Sequence, residues 1–261
     1  LATEIIAEPR IGIRKAKDHI VAIGGGSGDG DAHRAVFGHL IDYRLQEATD
    51  GAARGVATVA GNFIDKPAFV SDWHVHNCGM QIAIVLSGSL ALGLADDLHV
   101  RAHAGEIMFI PGGVVHTALA PSADYQVLEL TFPGEFGTTE TDVPPAGSGS
   151  QARVWGPSAA TRTEVAGGLE FFVYPVEASY ADRYDLRRIW RSRVLPFAPT
   201  VRVHDDKVRL LVVTQGWIES GEAAEPDRLE KGDILVVPPG TERHDVAVSD
   251  DFEAIEVRIL Q

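Results

Sequence analysis

The sequence has a single cysteine, Cys78, among 261 residues. That excludes an intrachain disulfide framework and a multi-thiolate zinc site, and it fits a reducing, cytoplasmic compartment. No apolar run approaches the ~20 residues that a membrane-spanning helix needs, and the N-terminus lacks the charged and apolar regions of a signal peptide, so no membrane partner is expected. Positive charge is also scarce. Lys and Arg total 23 against 37 Asp and Glu, a formal charge of −14, and such a field repels phosphate, so nucleic acid is not an expected partner. The glycine-rich run 23–31 lacks the Gly-Lys-Ser/Thr ending of a phosphate loop and reads as a surface loop. The one basic cluster, Arg183–Arg193, reads as a solvated or interface segment in so acidic a chain.

What the chain does have is 45% hydrophobic residues, with 27 glycines and 14 prolines spread between short stretches of Val, Ile, Leu and Phe. This texture predicts an all-β protein with many turns. Candidate strands include Ala68–Trp73, Gln81–Ser87, Ser89–Leu94, Ile107–Ile110 and Tyr125–Phe132, then Thr200–His204, Val208–Thr214, Ile234–Val237 and Glu253–Ile259. A Pro/Gly/Ser-rich stretch begins at Val143 and suits an exposed linker. The expected organisation is a first domain over 1–142, a linker over 143–155 and a second domain over 156–261.

The two halves resemble each other. Val75-His76 is followed twelve residues later by Gly88, and Val203-His204 by Gly216. Gly105-Glu-Ile-Met-Phe-Ile-Pro-Gly-Gly113 then corresponds to Gly232-Asp-Ile-Leu-Val-Val-Pro-Pro-Gly240. Several spacings kept together point to an internal repeat.

The chemistry is concentrated in Asp72-Trp-His-Val-His-Asn-Cys-Gly-Met-Gln81. Residues two apart on a strand share a face, so His74 and His76 project together. Gln81 can return on the neighbouring strand and His116 can approach from another. Three imidazoles and an amide oxygen would suit one divalent ion of the Fe, Mn, Ni, Co or Zn type with open positions left over. The alternatives are that the two paired histidines face solvent, or that Gln81 is only a core amide beside three histidine ligands. Cys78 sits in the Asn-Cys-Gly bend and is expected to point away. His99 and His103 read as surface residues, Met80, Met108 and Phe109 mainly as core, and Glu129 as a candidate general base.

This pattern resembles the cupin superfamily. His74, His76, Gln81 and Gly88 match the family's first motif, with glutamine in its glutamate position, while Gly61 lies farther upstream than usual. Gly105, Pro111, Gly113 and His116 match the second, with Ala120 where asparagine is usual. The resemblance implies two β-barrel domains of the double-stranded β-helix (jelly-roll) type and one metal ion per chain. It also implies similarity to cupin polyketide cyclases, bicupin isomerases and diketone-cleaving dioxygenases. The expected partner is a small organic, anionic chelating substrate, because a neutral Gln81 leaves more of the metal's charge to be satisfied; a homodimer is compatible with the reading. The expected activity is that of a dioxygenase acting on an enolisable or aromatic substrate. The alternatives are a non-redox isomerase, cyclase or lyase, and a binding or regulatory protein.

In the second half, Arg202, Arg209 and Arg243 stand where His74, Gln81 and His116 stand in the first. Guanidinium offers no lone pair to a cation, so metal binding is not expected there. Two readings remain open. Either the domain is structural, with these arginines paired to Asp205, Asp206, Glu242 or Asp245, or they converge on an anion.

Overall fold

The strand Met80–Ser87 is apolar along nearly its whole length and buried on both faces, the pattern of a central strand covered from two sides. His99–His103 alternates between exposed and buried residues, as a strand with one wet face should. Such strands make up the fold, and the computed structural model describes residues 11–21, 37–60, 72–141, 152–222 and 224–261. The glycine-rich run 23–31, most of the expected strand Ala68–Trp73 and most of the expected linker lie outside the described residues. No helix among the described residues is long and apolar enough to cross a membrane.

The chain forms two units: Ala16–Ala159, and Leu1–Lys15 with Ala160–Gln261. In the first, a seven-stranded antiparallel sheet has the order Arg153–Trp155, Ile107–Pro111, Met80–Ser87, Gln126–Phe132, Arg54–Ala60, Phe37–Asp42, Ile20–Val21. A three-stranded sheet of Thr117–Leu119, Ser89–Gly93 and His99–His103 and a two-stranded sheet of Thr138–Glu140 and His74–His76 complete it. Ala83, Val85, Met108, Ile110 and Val127 from the large sheet pack with Leu90, Leu92 and Ala102 from the three-stranded one. Those residues therefore mark the interior face of the barrel.

The second unit repeats the plan. Its seven-stranded sheet runs Gly12–Arg14, Ile234–Val237, Val208–Gln215, Glu253–Ile259, Tyr184–Arg191, Leu169–Val173, Thr161–Ala166. A four-stranded sheet of Thr200–Arg202, Arg243–Val248, Trp217–Gly221 and Asp227–Glu230 accompanies it. Leu211, Val213, Leu235, Val237 and Ala254 pack there with Ile218 and Leu229. The all-β, jelly-roll expectation is met in both units.

The repeat has a physical basis at Gly88 and Gly216. Both have φ of +64°, and a Cβ on either would lie 2.1 Å from a serine hydroxyl, Ser122 or Ser249. Those serines accept from the next backbone N–H, Ser89 at 2.8 Å and Trp217 at 2.9 Å. The same turn is thus locked twice, and only glycine fits it.

Three features differ from the sequence reading. Arg153–Trp155, inside the stretch read as linker, is a strand paired with Ile107–Phe109, with Trp155 stacked on Phe109 at 4.9 Å. Three residues after a Pro/Gly/Ser run carry too little alternation to be noticed. Gly12–Arg14, far upstream of its unit, pairs with Ile234–Val236. The basic cluster is also not a solvated segment: Tyr184–Arg191 is an inner strand flanked by Leu169–Val173 and Glu253–Ile259. Arg188 is only 1% exposed, donating to the Tyr174 hydroxyl at 2.9 Å and to Glu253 at 2.8 Å. Its charge density suggested a wet surface, and the partners it meets elsewhere in the unit overturn that.

Candidate metal centre

His74 and His116 form an isolated antiparallel bridge, exchanging backbone hydrogen bonds of 3.0 and 2.9 Å. The Gly113 N–H donates to the His76 carbonyl at 3.1 Å. Gly112 makes this approach possible, because a Cβ there would lie 1.9 Å from the Cys78 carbonyl oxygen. The Pro-Gly-Gly turn therefore lies directly on the bend that follows His76 and brings His116 to the other two histidines.

The three rings have centroid separations of 4.4, 4.9 and 5.3 Å. One ring nitrogen from each lies within 4.8 Å of the others, an arrangement able to hold one ion. His116 is buried and the other two are half-buried. Each Nδ1 already has an oxygen partner: the Asp72 carbonyl at 2.8 Å for His74, the Thr138 hydroxyl at 2.9 Å for His76, the Val114 carbonyl at 2.9 Å for His116. An Nδ1–H donated to oxygen leaves the Nε2 lone pair free, the arrangement that metal-binding histidines use. Burial, followed by the neighbouring His74, pushes His76 down to about 4 and His116 down to about 3. Both are neutral at pH 7 and available as ligands.

Gln81 is 3% exposed, and its Oε1 is buried with no hydrogen-bond partner. It alternates with Ala83 and Val85, so it faces the barrel interior. A buried amide oxygen without a donor is costly, and a cation would satisfy it. The three histidines fit a divalent metal, and the unpartnered Gln81 oxygen is a neutral donor of the kind such an ion accepts.

Cys78 is buried, its thiol pushed up by that burial, and it is not in the histidine cluster. His99 and His103 are exposed. Met80, Met108 and Phe109 are core residues. Glu129 lies on the interior face with Val127 and is pushed up to about 7, by burial first and against the pull of Arg54. It can therefore hold or release a proton near neutral pH.

In the second unit, Arg202 pairs with Arg243 as His74 pairs with His116, so the repeat aligns these positions in space. Arg243, 5% exposed, meets the fully buried Asp245 through Nε at 2.8 Å and Nη2 at 3.0 Å. Ser220 donates to the same carboxylate at 2.8 Å. Arg209 is hydrogen-bonded to Asp206, which also receives Arg258 at 2.8 and 3.0 Å. Glu256 lies 3.6 Å from Arg243 and 4.0 Å from Arg209. Arg202 is 3.8 Å from Asp245 and lies over the Phe171 ring at 4.4 Å, with Nε and Nη2 making no hydrogen bond. Carboxylates from this unit thus meet Arg209 and Arg243 as buried charge requires. Of the carboxylates suggested by sequence, Asp206 and Asp245 are used. Glu242 faces His244 at 3.4 Å instead and Asp205 is exposed.

Sequence reasoning missed Thr138 and Phe136 beside His76, Thr131 and Arg54 in register with Gln81, and in the second unit Glu256, Arg258 and Asp185, to which Arg258 also donates at 2.8 Å. No motif spacing marks them, because they reach these places through strand pairing.

Comparison with known proteins agrees with this picture. Residues 63–130 match the cupin domain family, and no curated protein matches the sequence. A variant of the oxalate decarboxylase of Bacillus subtilis superposes with a TM-score of 0.62 at 12% identity, over 85% of this chain and 72% of its own. The salicylate 1,2-dioxygenase of Pseudoaminobacter salicylatoxidans, as its adduct with gentisate, gives 0.65 at 13% identity, over 95% of this chain and 81% of its own. Mn(II) centres are described for the decarboxylase. At such identities the likeness is one of fold. The motif spacings, the repeated barrel and the histidine cluster agree with that match: the region over residues 63–130 is a cupin domain, and the chain shares the fold of those structures.

Proposed function

We propose that this protein is a metal-dependent enzyme that binds one divalent ion in its first barrel and acts on a small organic substrate chelating through one or two oxygens. His74, His76 and His116 would be the ligands, with the Gln81 oxygen as a fourth. The observation that carries this reading is the set of three imidazoles whose Nδ1 atoms are all held by oxygen partners beside a buried, unpartnered amide oxygen. When bound, the metal supplies Lewis acidity toward a carbonyl or enolate oxygen and, if redox-active, a path for electrons to dioxygen.

The residues themselves set the rest. The donor set is neutral, so an anionic substrate is favoured. The apolar interior excludes water from one side of the site, and Glu129 is the group best placed to carry a proton at neutral pH. Oxidative cleavage of an enolisable or aromatic substrate is the first reading, supported by the likeness in fold to the salicylate dioxygenase. A non-redox isomerase, cyclase or lyase is the second, favoured by Gln81, which cannot act as the base that glutamate could be. We further propose that the second barrel is structural and binds no metal.

Elemental analysis of the dialysed protein, followed by oxygen uptake with candidate chelating acids, tests this. One ion per chain is expected. Two tightly bound ions, or retention of the wild-type metal content in His76→Ala, would refute the assignment, and turnover without oxygen uptake would select the second reading.

A further inference from the structure

In the large sheet of the first unit, Gln81 pairs directly with Thr131 and Thr131 with Arg54. Val85 and Val127, on the same strands and an even number of residues away, belong to the interior core. By alternation, the side chains of Gln81, Thr131 and Arg54 therefore form one row across three strands on the interior face. This row ends the apolar interior on the side where the chain turns back from His76 to Gln81.

Arg54 is tied to the histidines by an aromatic ring. Its guanidinium carbon lies 5.7 Å from the centre of Phe136, and Phe136 packs edge-on to His76 at 5.1 Å. No carboxylate among the described residues forms an ion pair with Arg54. Glu129, one row deeper, feels its charge without pairing with it. Beside Arg54, the Thr131 hydroxyl is buried with no hydrogen-bond partner in a residue 5% exposed, and the Gln81 oxygen beyond it is equally unpartnered. A guanidinium with no ion pair among the described residues, next to a buried unpartnered hydroxyl, is complementary to a carboxylate, which can accept two parallel N–H bonds from one and an O–H bond from the other.

We propose that Arg54, assisted by Thr131, anchors a carboxylate of the substrate, so that this protein acts on organic acids whose chelating oxygens are separate from that carboxylate. The inference rests on the metal-centre reading, because it takes the chelating end of the substrate to face His74, His76 and His116. Adjacent strands are ~5 Å apart, so Gln81 and Arg54 are on the order of 10 Å apart at their backbones. With a long arginine side chain reaching toward Phe136, that span suits a carboxylate and a chelating pair held at opposite ends of a single ring.

The test is equilibrium binding of catechol and of 3,4-dihydroxybenzoate to the full chain loaded with Co(II), without oxygen, read from the Co(II) absorption. Both probes chelate through the same two oxygens, and only the second carries a carboxylate. The wild type should prefer the acid at least tenfold. Arg54→Gln should lose that preference while retaining its affinity for Co(II) and for catechol. Should that variant fail to fold, Arg54→Lys, which keeps the charge and loses the two-pronged geometry, should show a reduced preference. A Co(II)-loaded wild type that binds both probes equally, or a variant that keeps the full preference, would overturn the anchor alone. A wild type that binds no Co(II) would overturn the metal-centre reading and the anchor with it.

Discussion

Thr138 offers the cleanest perturbation of the histidine cluster. Of the three oxygen atoms that hold an Nδ1, two are backbone carbonyls, of Asp72 and Val114, which no side-chain substitution removes. The third is the Thr138 hydroxyl, 2.9 Å from His76 Nδ1. Thr138 is exposed and pairs with His76 through the backbone in a two-stranded sheet, so Thr138→Val keeps shape, β-branching and ladder while deleting one hydrogen-bond partner. Loss of such an outer partner typically weakens metal binding by ~10–100-fold, or about 1.4–2.7 kcal/mol. Water can reach this exposed position and replace part of the lost bond, so the expected effect is the lower value, about tenfold. The assay is competition for Zn(II) against a chromophoric chelator at pH 7, where His76 is neutral, with circular dichroism to confirm the fold. Thr138→Ser restores the oxygen and should restore most of the affinity. A valine variant that binds Zn(II) within twofold of wild type, or a serine variant as weak as valine, would show that this contact does not orient the ring.

Two further perturbations probe different parts of the molecule. Gln81→Glu adds a negative charge beside the expected ion: Zn(II) should bind at least as tightly, but the enolate of a β-diketone should bind about tenfold or more weakly, and equal enolate affinity would place Gln81 outside the ligand set. In the second unit, burial opposes ionisation of Asp206, but bonds from Arg258 and Arg209 hold it down at about 2. Its stabilisation, about 2 kcal/mol, is present above the ordinary carboxylate range and lost as pH falls through 2. Asp206→Asn should therefore lower unfolding stability by at least that amount at pH 7, with the difference from wild type closing toward pH 2. A difference independent of pH in urea unfolding would contradict this.

The histidine cluster was legible in the sequence because its determinants are local: alternation puts His74 and His76 on one face, and a fixed proline-glycine turn returns His116 to them. The repeat was legible for the same reason, since Gly88 and Gly216 fill turns that no other residue fits. That arginines occupy the corresponding positions of the second half was legible too, and guanidinium has no lone pair to offer a cation.

What tertiary structure alone decided is which charges meet. Asp206 serves Arg209, three residues away, and also Arg258, 52 residues away, and sequence spacing says nothing about the second contact. The strand Tyr184–Arg191 looked wet because its arginines are dense, but it lies between two strands that supply hydrogen-bond and ion partners. Arg153–Trp155 looked like linker because an edge strand of three residues is set by the neighbour it pairs with rather than by its own pattern. Arg54 and Thr131 carried no motif at all. They stand beside Gln81 because antiparallel registers place residues far apart in the chain at adjacent points on one face, and that register is fixed by the packing of the whole barrel.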